Sequence, residues 1–224
     1  FYSLVEDKNI SLTQYLDNMP DGQNDIFYLT AENLDKAKVS PHLEGFVAKK
    51  LDVLILTDPI DDFWIPLMPE YSGKKFVSIS RGNVNLDDIK KDKKKKKKEK
   101  NSDYEALLEE IKKCLNEKVS NVVISKSLTE SPARLIADEN GMDIQMEKMM
   151  MMQNPDFEGS PRILEINIEH ELIKSMNKKL KSADHVISDL AMLLFDQSKI
   201  LEGKVPENLQ EFNKRLTKVM QLAI

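Results

Sequence analysis

The sequence predicts a mixed α+β or α/β chain: a small αβα sandwich, then a small domain of sheet and helices that ends in a helical hairpin. Three observations carry this. Residues 1–89 switch repeatedly between strand-like apolar runs and helix-like spacing, the pattern of an α/β layer structure. A lysine-rich stretch, "IKKDKKKKKKEKNSD", interrupts the chain at 89–103 with no apolar periodicity. Residues 182–223 carry two long amphipathic patterns separated by Gly203 and Pro206.

Taken in order, Ser11 caps a short helix running to Met19, and "PDGQND" is a turn. Ile26–Leu29 reads as a strand, Ala31–Lys38 and Pro41–Lys50 as helices, and Leu51–Leu56 as a strand buried on both faces. Asp58 and Pro59 suit the cap and first position of a helix carrying Asp61 and Asp62 in its first turn, and Phe76–Ile79 resumes as a strand. Lysines at the density of Lys90–Lys100 repel one another, so 90–102 reads as a solvated linker between a domain at 1–89 and one at 103–224. A nucleic-acid patch is the competing reading, against which stands the absence of interleaved aromatics or arginines.

Beyond the linker, Asp103–Lys118 is an amphipathic helix with Tyr104, Leu107, Leu108, Ile111 and Leu115 on one side. Val119–Ser125, Ala133–Ala137 and Ile163–Ile168 read as strands of a small sheet. Helices at Ser182–Glu202 and Pro206–Ala223 close the chain, with Val186, Leu190, Leu193, Leu194, Leu201, Leu209, Phe212, Leu216, Val219 and Met220 along their seams. A two-helix hairpin cannot bury both seams alone. A second copy across a two-fold axis would complete a four-helix interface, so these ten residues are the expected dimerisation set.

Composition excludes several classes. The 33 basic and 38 acidic residues give a net charge of −5, with no drive toward nucleic acid or acidic membranes. The single cysteine, Cys114, rules out a disulfide scaffold and suits a small buried apolar residue. No apolar run approaches the roughly 20 residues of a membrane span. The chain opens with Phe rather than Met and with no signal peptide, so it reads as a fragment from a reducing compartment such as the cytoplasm.

Catalytic patterns are missing. His42, His170 and His185 are scattered without metal-ligand spacing, so no metal site is expected. The seven glycines form no phosphate cradle, no serine sits in a nucleophile elbow, and Asp61 with Asp62 suits helix N-terminal charge better than acid–base work. Two apolar features stand out instead. In "GMDIQMEKMMMM" (141–152), helical spacing puts Met142, Met146, Met149 and Met150 on one stripe, either ordinary core or a flexible, polarizable binding surface. In "DPIDDFWIPLMPEY", Phe63, Trp64, Ile65, Leu67 and Met68 crowd around Pro66, which stops a regular helix; they form either the core of an interrupted helix or a partly exposed patch.

The stretches "SPHLEGFVAKKLDVLILTDPIDDFW" (40–64), "LTESPARLIADENGMDIQMEKMM" (128–150) and "SPRILEINIEHELI" (160–173) resemble the ninety-kilodalton heat-shock protein family of ATP-dependent chaperones, most closely its bacterial members. The resemblance implies the C-terminal part of the middle domain at 1–89 and the C-terminal dimerisation domain from about 103. It implies client-binding residues at Phe63, Trp64, Pro66, Met142, Met146, Met149 and Met150, and so tips both apolar features toward binding. The ATP and Mg of the full-length family member would then lie upstream of Phe1, making this fragment no enzyme and leaving it without a cofactor. The implied partners are a second copy and unfolded or partly folded clients, with no nucleic acid and no membrane, in a bacterial cytoplasm ahead of an organelle. A stand-alone structural or adaptor dimer whose lysines bind an acidic partner is the alternative. Where the family carries Asn-Pro and His-Pro pairs after the last strand, this chain has Asn167-Ile168 and His170-Glu171.

Overall fold

Strand β3 (Asp25–Thr30) shows how the first part of the chain is layered: Phe27 and Leu29 enter one apolar cluster, while Ile26 and Tyr28 enter another on the opposite face. A strand with apolar side chains on both faces must be covered on both, and parallel pairing suits it. In the computed structural model, which describes residues 1–82, 84, 86, 89, 102–138, 147, 150–151, 153–154, 159–180 and 186–222, β3 pairs in parallel with β4 (Leu54–Leu56) and β6 (Lys74–Ser78). The six-stranded sheet runs β2-β1-β4-β3-β6-β5. Its short outer strands β1 (Tyr2–Ser3), β2 (Lys8–Asn9) and β5 (Glu70–Tyr71) are all added antiparallel.

Helices α2 (Leu34–Lys38) and α3 (Glu44–Lys49) cover one face through Ala37 and Phe46. Helices α1 (Leu12–Asp17) and α4 (Asp61–Leu67) cover the other through Tyr15 and Ile65. This is the expected αβα sandwich. Ser11 caps α1 in a reciprocal capping box with Gln14. The helix expected over Pro41–Lys50 divides into a 3₁₀ turn at Pro41–Leu43 followed by α3.

The chain divides into two compact units, Phe1–Asp92 with Ala137–Ser160, and Lys93–Ile136 with Pro161–Ile224. The expected boundary between domains at 1–89 and 103–224 differs from this division, because residues 137–160 group with the first unit. Ala137 there accepts a hydrogen bond from the backbone N–H of Gly82 at 3.0 Å and donates one to the carbonyl of Ser80 at 3.0 Å. The expected linker lies outside the described residues except for Ser102.

In the second unit, β7 (Val119–Ile124) runs parallel to β9 (Arg162–Ile166), and β8 (Ala133–Ile136) lies antiparallel on the other side of β9. Helices α5 (Glu105–Leu115), α6 (Glu171–Leu180) and α7 (Val186–Leu201) pack on this sheet. They share a core of Leu107, Ile111, Leu135, Leu164, Ile166, Ile173, Met176, Ala191 and Leu194. The last helix, α8 (Leu209–Gln221), packs against α7.

Two expectations are corrected. Helix α6 falls where no element is expected. The final helix starts at Leu209 rather than Pro206, because the Asn208 side chain accepts from the N–H of Glu211 at 3.0 Å and sets the first turn there. Entry into α6 is held without the family's prolines. Asn167 Oδ1 accepts from the N–H of Glu169 at 3.0 Å, and His170 Nδ1 accepts from the N–H of Leu172 at 3.1 Å.

Candidate functional site: exposed apolar faces in each unit

Helix α4 has apolar side chains almost all round, so its phase on the sheet decides which of them meet water. Ile65 is buried, and Trp64 is half-buried with its ring 5.4 Å from that of Phe76 and 5.6 Å from that of Phe1. Its indole Nε1 donates to Asp61 Oδ1 at 2.7 Å, and the other oxygen of that buried carboxylate accepts from the N–H of Asp58 at 3.1 Å. With Trp64 turned inward, Phe63 is 54% exposed and Leu67 85%, and Ile60 and Met68 are exposed beside them. Pro66 lies in the last turn, itself exposed, and the helix ends one residue after it. The turn before the helix differs from expectation: Asp58 Oδ1 accepts from the N–H of Ile60 at 3.1 Å, and α4 begins at Asp61 rather than at Pro59.

The structure therefore places Phe63 and Pro66 on an open apolar stripe and Trp64 at its inner margin. Ile60 belongs to the same stripe by its i, i+3 spacing to Phe63, a signal present in the sequence but not used. Of the methionine set, Met150 is helical and 38% exposed, and Glu147 nearby in sequence is buried. Glu147 Oε1 accepts from the N–H of Ser160 at 3.2 Å. Met142, Met146 and Met149 lie outside the described residues.

In the second unit the ten seam residues separate into two groups. Val186 and Leu194 are buried, and Leu190, Leu193, Phe212 and Val219 are partly covered. Leu201, Leu209, Leu216 and Met220 are exposed, Leu209 at 54% and Met220 at 60%, and Ile200 and Leu222 extend the same open surface. No residue of α8 is fully buried.

Charged groups join α7 to α8 and to the turn before it. Asp189 on α7 accepts from Lys218 Nζ at 2.5 Å and lies 3.7 Å from Arg215 Nε. Glu207 meets both Lys118 and Lys199 at 2.8 Å, and the hydrogen bonds from these two lysines hold its carboxyl down at about 2. Burial pushes the Asp196 carboxyl upward, partly countered by Lys199, Arg215 and Lys118. Because the folded-state value of Glu207 lies below its ordinary one, its contribution is present above pH 4.5 and is lost as the pH falls toward about 2. Asp196, raised in the fold, acts with the opposite sign. Thermal unfolding followed across this acid window should show Glu207→Gln with a flatter pH dependence than the parent chain; identical slopes would remove Glu207 from the acid response.

No helix among the described residues is long and apolar enough to cross a membrane. Compared with known families, the chain matches the model of the Hsp90 protein over residues 1–224. It is 37% identical over 227 aligned residues to the chaperone protein HtpG of Rickettsia canadensis, the alignment covering 100% of this chain and 36% of that protein. The HtpG proteins of Rickettsia prowazekii and of a Wolbachia from Brugia malayi are also 37% identical, covering 100% and 98% of this chain and 37% and 36% of those proteins. The chain thus spans little more than a third of the length of these relatives.

The match runs from end to end, and it overturns the expectation that this chain is no enzyme and takes no cofactor. That expectation set the chain apart from the nucleotide chemistry of the family it resembles, whereas the whole chain lies inside the family match. Neither statement is kept. Among the described residues, no three His, Cys, Asp or Glu side chains gather as metal ligands. A recess of about 330 Å³ by Asp21 and Gly22 brings in one lysine, Lys74, whose Nζ already donates to Gln23 O and Asn24 Oδ1. With a family model matched along all of it and relatives at 37% identity, this chain belongs to the Hsp90 protein family.

Proposed function

We propose that this chain is the client-holding and self-associating part of an ATP-dependent chaperone of the bacterial cytoplasm. In this reading residues 1–89 are the client-facing end of a middle domain, 90–102 a linker and 103–224 a dimerisation domain. The observation that carries it is the exposed stripe Ile60, Phe63, Leu67 and Met68 on α4. Bulky apolar groups grouped on one short helix cost solvation in a lone monomer and mark a surface used for binding. A stripe without charged side chains discriminates little between apolar sequences, which suits a holder of many unfolded chains.

Self-association draws its support from α8, whose apolar stripe finds too little cover in its own unit. Phe63, Pro66 and Met150 are the client contacts of this reading among described residues, with Met142, Met146 and Met149 assigned by resemblance. Leu201, Leu209, Leu216 and Met220 form the seam. Amide hydrogen exchange with and without a permanently unfolded client tests the client surface. Backbone amides across Ile60–Met68 should become protected by the client, and protection confined to other segments would overturn the assignment.

A further inference from the structure

The Trp64 indole is held by a charged acceptor from its own helix, and that arrangement has no need to exist for packing alone. Its ring already lies against Phe76 of β6 and Phe1. Yet the buried Asp61 spends one oxygen on the indole N–H at 2.7 Å and the other on the backbone N–H of Asp58 at 3.1 Å, tying the side chain to the turn that precedes α4. Hydrogen bonds to an ionised acceptor are short and about twice as strong as neutral ones, so this contact fixes the rotation of the indole where stacking alone leaves it free to slide. Residues 61 and 64 are three apart and share a face, whereas Ile60, Phe63 and Leu67 share another. Holding 64 inward therefore holds 60, 63 and 67 outward.

We infer that Asp61 is a positioning residue for the apolar stripe of α4: its carboxylate locks Trp64 inward, and through it the orientation in which Phe63 and its neighbours are offered to an unfolded, apolar polypeptide. Trp64 then acts as the anchor of the surface, not as one of its contacts. This rests on the client-binding reading above and adds to it a residue that touches no client.

The chain has a single tryptophan, so its fluorescence reports Trp64 alone. Asp61→Leu fills the same space without an acceptor, while Asp61→Asn restores an acceptor oxygen. In Asp61→Leu, emission should move to longer wavelength, quenching by acrylamide should increase, and affinity for a permanently unfolded client should fall about threefold as the competent orientation loses population. Asp61→Asn should recover most of both signals. Trp64→Phe, which keeps Asp61 in place, supplies a second arm if the leucine variant does not fold. It should weaken the client to a similar degree, because the ring stays but the tether is gone. Phe63→Ala separates the two ideas. If it weakens the client while Asp61→Leu leaves emission and quenching unchanged, the inference fails alone. If Asp61→Leu shifts Trp64 but neither Trp64→Phe nor Asp61→Leu alters client affinity while Phe63→Ala does, the positioning role is likewise overturned. An unchanged affinity in Phe63→Ala overturns the client reading beneath it.

Discussion

If the chain self-associates through α8 as proposed, replacing Leu209 and Leu216 together with aspartate is expected to leave it monomeric. Both side chains lie on the open stripe of α8, two turns apart, where the protomer leaves them exposed. If a second copy covers that stripe, each aspartate places a carboxylate in a desolvated contact with no cation to receive it. Such uncompensated burial costs several kcal/mol per site, enough to weaken association by at least about a thousandfold. The protomer itself should barely respond, since exposed surface substitutions stay within about 0.5 kcal/mol. Light scattering would report the mass and thermal unfolding the protomer. A variant that remains a dimer would move the interface off α8. A variant that unfolds would show that the stripe belongs to the protomer's own core.

The second large effect is expected inside the second unit. Arg134 on β8 stands opposite Glu165 on β9, and both are buried. The guanidinium reaches Glu165 Oε2 at 2.6 Å and Ser127 Oγ at 2.6 Å, and Ser125 Oγ donates to the same carboxylate oxygen at 3.2 Å. Removing one partner leaves the other as an uncompensated buried charge, at a cost of about 3–5 kcal/mol. Arg134→Met alone should therefore lower the melting temperature of this unit by roughly 10–20 °C. Glu165→Leu combined with Arg134→Met should recover much of the loss, because two apolar groups fill the site without any charge to desolvate. A single variant as stable as the parent would show the pair to be solvated, contrary to its burial.

Much of the layering was legible because apolar pattern and strand burial are the same physical fact. "IFYL" at 26–29 reads as a strand and "LDVLIL" at 51–56 as a strand covered on both sides, and alternate residues of each enter opposite clusters. Helix α6 was missed although Leu172, Ile173, Met176 and Leu180 have helical spacing, because six polar or charged residues between Glu171 and Leu180 dilute the pattern. The outer strands β1, β2 and β5 are two residues long, too short for any period to show.

The site was legible in content and not in direction. "DDFWIPLM" announced an apolar cluster around a proline, but α4 has apolar groups on every side, so only the sheet beneath it decides that Ile65 and Trp64 turn inward and Phe63 and Leu67 outward. The seam of α7 and α8 was read as one surface. In the fold, Leu194 packs into the unit's own core and Val186 is buried, while Leu201, Leu209, Leu216 and Met220 stay outside, because a helix between a sheet and another helix buries two stripes rather than one.

On the proposed function, the open stripe of α4 holds unfolded chains. The most direct measurement is a fluorescence anisotropy titration of a labelled, permanently unfolded client with the parent chain and with a variant carrying Ile60→Ser, Phe63→Ser and Leu67→Ser. All three side chains are exposed, so the fold and the association state should persist, and affinity should fall by about tenfold or more as the apolar area is lost. An intact, equally associated variant that binds the client as tightly as the parent chain would contradict the claim.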